Sequence, residues 1–416
     1  MKELFDKSLI ANFKTKPTLL LHSCCAPCSS SVLEALCEYF DVTVLYYNPN
    51  IFPETEFLKR QKEQERFCKG FMPEKHIKFT TLPYDEKEFS DRIKNLENEP
   101  EGGKRCTECF TLRLETSAKY AKENNFDFFT TTLSVSPLKD AKRLNSIGTS
   151  LGEKYGVRYL VSDFKKKEGY KRSCEISKNF NMYRQDFCGC KYSLAQRIMD
   201  SKGFIFDLDG TLLDSMGFYE DFSKNLVLHY GKVPSPRIRE DVRSMTVEIA
   251  CTYLCETYKL PVSPDEALEY ATKKVRELYE EKANLKPGVQ EFLEYAKKKG
   301  IKMCIATASQ KDEVILALKR LGIYDMFEFV LTCPELKTTK RAPYIYDECC
   351  ARMGLPKKNV TVFEDAHHTM KTAWDNQYRV VGVREETELN FMDEILENCH
   401  IYVESLSDLI HRENLR

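Results

Sequence analysis

No stretch of the 416 residues is apolar for long enough to cross a bilayer, which argues against a membrane-spanning helix. The opening residues Met1-Lys2-Glu3-Leu4-Phe5-Asp6-Lys7 are broken by charge and form no apolar signal segment, so the expected setting is cytoplasmic, with thiols that start reduced. No dinucleotide fingerprint is present to seat a hydride carrier. Internal repeats, low-complexity segments and a Pro/Ser-rich linker are also missing. Net charge is nearly absent at −1, but it conceals a polarity. Residues 1–200 hold 33 Lys+Arg against 28 Asp+Glu, and the remainder 30 against 36, so +5 faces −6. A surplus of +5 is too small to argue for a polyanionic partner by itself. The basic run Lys165-Lys166-Lys167-Glu168-Gly169-Tyr170-Lys171-Arg172 is by default a solvated loop, although it precedes a cysteine cluster and could bring phosphates near it.

Cysteine is what the chain has in excess, with 17. Seven fall into three clusters, Cys24-Cys25-x-x-Cys28, Cys106-x-x-Cys109 and Cys188-x-Cys190. A CxxC turn aims two sulfurs at one centre, and a CxC segment brings two more. Together they offer more thiolates than one tetrahedral zinc uses, which favours an iron–sulfur cluster, or a cluster with a neighbouring metal, over a zinc staple or dithiol pairs. The ten other cysteines sit among apolar or helical neighbours and are expected as small buried hydrophobes.

The length predicts two abutting domains, at 1–200 and 201–416. Strands are expected at 18–22, 42–47, 126–130 and 158–161, with a helix starting near Ser29 and another over 54–67. Alternation of strand and helix predicts α/β architecture, a mostly parallel sheet with flanking helices in each domain, and sites at the carboxyl ends of strands. The first such end is Cys24–Cys28. It lacks the Ser-Gly-Gly-x-Asp-Ser phosphate loop of ATP-using tRNA-thiolation enzymes, which disfavours that reading.

His22-Ser23-Cys24-Cys25-Ala26-Pro27-Cys28, Tyr47-Asn48-Pro49-Asn50-Ile51, Cys106-Thr107-Glu108-Cys109, Thr132-Leu133-Ser134-Val135-Ser136-Pro137 and Arg184-Gln185-Asp186-Phe187-Cys188-Gly189-Cys190 together resemble the QueH-type epoxyqueuosine reductases. The resemblance implies reduction of epoxyqueuosine to queuosine at the wobble position of tRNA, with an electron donor protein. It also implies an iron–sulfur cluster (4Fe-4S) and an adjacent mononuclear iron, held by Cys24, Cys25, Cys106, Cys109, Cys188 and Cys190, with Cys28 at a position where relatives can carry aspartate. Tyr47, Asp140 and Asp186 are candidate proton donors whose simpler reading is structural. His22 is expected to be a satisfied strand-end histidine.

Residues 204–215, Phe-Ile-Phe-Asp-Leu-Asp-Gly-Thr-Leu-Leu-Asp-Ser, form an apolar strand ending in two aspartates whose carboxylates leave the same face. With Pro287-Gly288, strands at 302–306 and 360–363, Thr307, Lys340 and Glu364-Asp365, this half resembles the haloacid dehalogenase superfamily: a Rossmann-like core with a helical cap over about 216–286. That resemblance makes Asp207 the nucleophile and Asp209 the general acid/base, with Thr307 and Lys340 on the phosphoryl oxygens. Mg²⁺ is expected among Asp207, Asp209, Asp365 and Glu364, and the substrate is a phosphorylated small molecule. Where relatives continue with Ser, and Gly three residues later, this chain has Ala366 and Thr369, with His367 and His368 expected as exposed loop histidines.

Overall fold

A computed structural model describes residues 4–412 except 186, 243, 244 and 246, together with residue 415. The chain divides into two units, one up to Leu194 and one from Ala195 onward.

The first unit is built on β1 (Thr18–Ser23), β2 (Asp41–Tyr46), β3 (Lys78–Thr81), β4 (Phe128–Thr131) and β5 (Arg158–Tyr159), in the order β3-β2-β1-β4-β5 with every pair parallel. The helices are α1 (Ala26–Leu36), α2 (Glu54–Gly70), α3 (Glu86–Arg92), α4 (Lys104–Glu123), α5 (Ala141–Tyr155) and α6 (Gly169–Asn179), with α7 (Lys191–Met199) following. The central strand is apolar on both faces, as a strand covered on both sides must be. Leu19 and Leu21 pack with Leu33 and Leu36 of α1 and Ile176 of α6. Leu20 points the other way, into Leu114 and Ala118 of α4 and Leu144 of α5.

Two predicted boundaries move for local reasons. Helix α1 starts at Ala26 rather than near Ser29, because Pro27 fits a first turn whose N–H groups have no helical partner and Cys25 caps it in an extended conformation. Strand β5 stops at Tyr159, and Val161, expected within it, is half exposed outside the sheet.

The second unit carries β6 (Gly203–Phe206), β9 (Lys302–Thr307), β10 (Phe329–Thr332), β11 (Val360–Glu364), β12 (Arg379–Val383) and β13 (Ile401–Val403) in the order β10-β9-β6-β11-β12-β13, all parallel. A short antiparallel ribbon of β7 (Leu213–Asp214) and β8 (Asn284–Leu285) brackets a helical insertion. That insertion is α8 (Met216–His229), α9 (Ile238–Val242), α10 (Val247–Tyr258) and α11 (Pro264–Glu277), ending in a π-helical turn, Leu278–Lys282. It has its own core of Leu226, Val227, Cys251, Leu254, Ala267 and Ala271. The sheet is flanked by α12 (Val289–Lys298), α13 (Lys311–Arg320), α14 (Cys333–Leu336), α15 (Tyr344–Met353), α16 (His367–Asp375) and α17 (Met392–Glu397). Cys304, Cys333, Cys349, Cys350 and Cys399 are buried in its apolar core, the role expected of them. Among the described residues no helix is long and apolar enough to cross a membrane.

Two candidate active sites

In the first unit the chain leaves β1 at Ser23 and turns directly into α1, so Cys24, Cys25 and Cys28 crowd the carboxyl edge of the sheet. Their sulfurs all lie within 4.8 Å of one another. Cys24 Sγ and Cys25 Sγ are 3.8 Å apart. Hydrogen bonds from Cys25 and Cys28 hold the Cys24 thiol well below its ordinary range, whereas the bond to Cys24, and then burial, pushes Cys25 up to about 12. Such a group sheds one proton readily and the others only when a cation replaces them, the behaviour of a soft-metal site.

The other four cysteines make a second, wider set. Cys106 and Cys109 lie in the first turns of α4, and Cys188 and Cys190 flank Gly189. Burial pushes Cys109 up to about 12, and Cys188, Cys190 and Cys106 stand near enough to add to the shift against the pull of Arg113. No three of the four come within 4.8 Å of one another. The Cys188–Cys190 loop is gripped from the Asn48–Phe52 segment and α2: Phe52 N donates to Gly189 O (2.9 Å) and Arg60 Nη1 to Cys188 O (3.2 Å). Gly189 takes φ +132°, and a Cβ there would meet Arg60 Nη1 and Ile51 Cγ1, each at 3.1 Å. Glycine is required where these chains meet.

Two cations, Arg113 buried and Lys139 partly so, stand against both sets. Lys139 Nζ is 3.4 Å from Cys188 Sγ, and the charges of Cys188, Cys24 and Cys28 outweigh its burial and keep it protonated. Arg113, 1% exposed, donates through Nη1 to Cys109 Sγ (4.0 Å) and through Nη2 to Asn48 Oδ1 (2.5 Å), with its Nε 3.3 Å from His22 Nε2. Neither cation was singled out in the sequence. The available signals were the i, i+4 spacing from Cys109 to Arg113 and the position of Lys139 two residues after the Thr132–Pro137 motif. His22 is satisfied by Thr131 Oγ1 (2.9 Å) and Tyr47 O (3.0 Å), as a strand-end histidine should be.

Of the candidate proton donors, Tyr47 gives its hydroxyl to Glu88 and is pushed up by burial. Asp140 caps α5, accepting from Lys142 N (2.8 Å) and Arg143 N (3.3 Å). Asp186 lies outside the described residues. Around the thiols, Gln185 Nε2 lies 3.0 Å from Cys25 Sγ, while the buried atoms Gln185 Oε1 and Asn50 Oδ1 have no partner. Soft sulfur donors, crowded protons and orphaned polar atoms are together a chemical fit to an inorganic cofactor.

In the second unit, Asp207 directly follows β6, and Asp207, Glu364 and Asp365 bring carboxylate oxygens within 4.8 Å of one another. Lys340 pairs with Asp207 Oδ1 and reaches Glu364 Oε1 at 2.8 Å. Glu364 is further held by Tyr346 OH (2.7 Å) and Thr369 Oγ1 (2.9 Å). Burial pushes Asp207 up to about 6, Lys340 pulling it down and Glu364 adding to the rise. Asp365 is raised further by burial, Asp207 and Glu364. Like charges this close favour a divalent cation.

Asp209 stands outside that group. Ser215 Oγ donates to its Oδ1 (2.6 Å), and Tyr279 OH and Ser309 Oγ donate to Oδ2 (both 2.7 Å). Thr307 is buried at the end of β9, its Oγ1 accepting from Ser309 N (3.1 Å). Tyr279 and Ser309 were not anticipated from sequence; Tyr279 comes from the inserted segment, 70 residues away. The departure at Thr369 puts a hydroxyl on Glu364, while Ala366 leaves α16 without a side-chain cap. The two histidines differ from expectation: they form the first turn of α16 and are partly buried. His367 Nδ1 lies 2.7 Å from Glu388 Oε2 with its ring stacked on Phe391 at 4.0 Å, so an acidic neighbour and a ring face draw it in.

Gly210 provides a direct test of this geometry. It takes φ +83°, and a Cβ would stand 2.1 Å from Asp365 Oδ2. Gly210→Ala is expected to lower unfolding stability by on the order of 1–3 kcal/mol in urea titrations followed by circular dichroism. Gly217→Ala in α8, where a Cβ meets nothing within 4 Å, should leave stability unchanged or slightly raised.

The family model "Epoxyqueuosine reductase QueH" matches residues 19–196, and "Haloacid dehalogenase-like hydrolase" matches residues 204–383. The chain is 42% identical over 191 residues to the epoxyqueuosine reductase QueH of Staphylococcus epidermidis, covering 45% of this chain and 80% of that one. It is 46% identical over 178 residues to the Histophilus somni protein of the same name, covering 42% and 72%. Among solved structures it is similar to CbbY from Rhodobacter sphaeroides, with 17% identity, 50% and 96% coverage and a TM-score of 0.44. Crowded thiols on one parallel sheet and matches along most of each curated relative agree: in its first half the chain belongs to the epoxyqueuosine reductase QueH family, and its second half carries a haloacid dehalogenase-like hydrolase domain.

Proposed function

We propose that the first half reduces epoxyqueuosine to queuosine in tRNA, in the cytoplasm, drawing electrons from a separate donor protein. The observation carrying this reading is that three cysteine motifs, each roughly 80 residues from the next, meet beside Lys139 and Arg113 at one sheet edge. The wider set of Cys106, Cys109, Cys188 and Cys190 suits a four-thiolate 4Fe-4S cluster, and the tight triad of Cys24, Cys25 and Cys28 suits an adjacent mononuclear iron. Bound there, such a group supplies Lewis acidity at the epoxide oxygen and electrons one at a time. Removing that oxygen as water consumes two electrons and two protons and leaves a carbon–carbon double bond. Lys139 and Arg113 hold positive charge beside the thiols throughout. Burial of His22, Asn48 and Thr132 keeps bulk water from that wall of the site.

The second half is proposed as a separate Mg²⁺-dependent phosphatase domain acting on a phosphorylated small molecule. Asp207 attacks phosphorus and Asp209, oriented by Ser215, Tyr279 and Ser309, passes the proton to and from the exchanging oxygens. Thr307 and Lys340 bind phosphoryl oxygens, and Asp207 with Asp365, supported by Glu364, would hold Mg²⁺.

Anaerobically prepared protein is expected to be brown, with several irons and acid-labile sulfide per chain. Cys106→Ala should lose the cluster colour, whereas Cys24→Ala should lose about one iron and keep it. Expressed in cells without their own reductase, the protein should shift tRNA digests from epoxyqueuosine to queuosine, and Cys188→Ala should abolish that shift. Hydrolysis of an activated phosphate ester should require Mg²⁺ and fall by at least about a thousandfold in Asp207→Asn, while tRNA reduction by the same variant is unchanged.

A further inference from the structure

The basic run at 165–172 is shaped by the backbone into a pocket. Lys167 and Glu168 both take left-handed conformations, φ +53° and +58°. Gly169 opens α6 at a point where a Cβ would lie 1.9 Å from Phe164 O. Ser31 of α1, Lys166, Lys167, Gly169 and Arg172 line a cavity of about 150 Å³ with Glu34 at its side, room for several waters and hence for a tetrahedral anion.

Three independent features point to an anion. Gly169 N–H is taken by Lys166 O, and the next N–H groups of the 11-residue helix have no intrahelical partner and carry the positive end of its dipole. Lys166 and Lys167 are exposed at the rim, whereas Arg172 is engaged with Glu34 (2.7 and 2.9 Å), which cancels that acid. Ser31, only 7% exposed, has a buried Oγ with no hydrogen-bond partner in a site otherwise supplied with donors. An unsatisfied buried hydroxyl is unfavourable and calls for a polar ligand.

We propose that this pocket binds a backbone phosphate of the RNA substrate, which rests on the reductase reading above. RNA is favoured over a free anion by position. Ser31 is three residues beyond Cys28 on α1, about 4.5 Å of helix rise. On the other side Lys165 Nζ donates to Lys139 O (2.8 Å), and Lys139 reaches Cys188 Sγ (3.4 Å). A phosphate held here therefore anchors the strand whose base is delivered to the thiols.

The test uses the full chain with its iron in place and tRNA carrying epoxyqueuosine, with binding followed by fluorescence anisotropy between about 50 and 200 mM salt. Lys166→Gln/Lys167→Gln should reduce the slope of log affinity against log salt by about 1, for the one phosphate the pocket neutralises. Ser31→Ala should weaken binding about three- to tenfold without changing the slope. Iron content should match wild type in both, and the surface pair Lys69→Gln/Lys78→Gln should bind as wild type does. Wild-type affinity and slope in the lysine pair would overturn the pocket while leaving the reductase reading standing. Displacement of tRNA by sub-millimolar inorganic phosphate in wild type, and not in the lysine pair, would make it a free-anion site and overturn the RNA assignment. A wild-type protein that leaves the epoxide untouched while the lysine pair still loses slope would defeat the reductase reading and uphold the pocket.

Discussion

A charge taken out of water must find its opposite close by, and in the first unit Arg113 is taken out completely and Lys139 in part. Arg113 and Lys139 pay the desolvation cost of burial only because thiols and polar groups stand around them: Cys109, His22 and Asn48 for Arg113, and Cys188, Cys24 and Cys28 for Lys139. The dependence is mutual. Seven thiols converging on one sheet edge would resist losing their protons in an apolar surrounding, and the two cations make that loss easier. Around this balance the rest of the unit is arranged, from the glycine at 189 that lets two loops touch to the apolar double-faced strand beneath.

The second unit uses the opposite arrangement. There three carboxylates crowd one cation, with Lys340 between Asp207 and Glu364 and Asp365 left over. The surplus is negative, which suits a hard divalent cation, as the thiol surplus in the first unit suits a soft one. Asp209 is kept apart by three hydroxyls, so the carboxyl group proposed for proton transfer is not the one proposed for metal. Tyr279 also meets Tyr219 OH at 3.0 Å, so the inserted helices reach the acid through a chain of hydroxyls.

Much of this could be read from the chain because the relevant groups are short-range in sequence. The CxxC and CxC spacings, the Asp-x-Asp pair and the apolar strands before them all report local geometry, and parallel α/β architecture then fixes where strand ends meet. The contacts that could not be read are those made across the fold. Arg113 finds Asn48 65 residues away, and Tyr279 finds Asp209 across 70; no local period announces either. Helix α1 begins earlier than expected because a first helical turn accommodates Pro27. His367, expected on an exposed loop, is drawn in by Glu388 and Phe391, which come from a segment about 20 residues later.

The central claim is that the converging thiols hold a redox centre that removes an epoxide oxygen from a nucleoside in RNA. A single-turnover experiment addresses it most directly: protein reduced under anaerobic conditions, freed of excess reductant and mixed with tRNA bearing epoxyqueuosine, with product nucleoside and optical bleaching followed together. The account predicts that queuosine forms at the rate the centre is reoxidised, one epoxide for every two electrons withdrawn. Reoxidation of the centre with the epoxide left intact would contradict it.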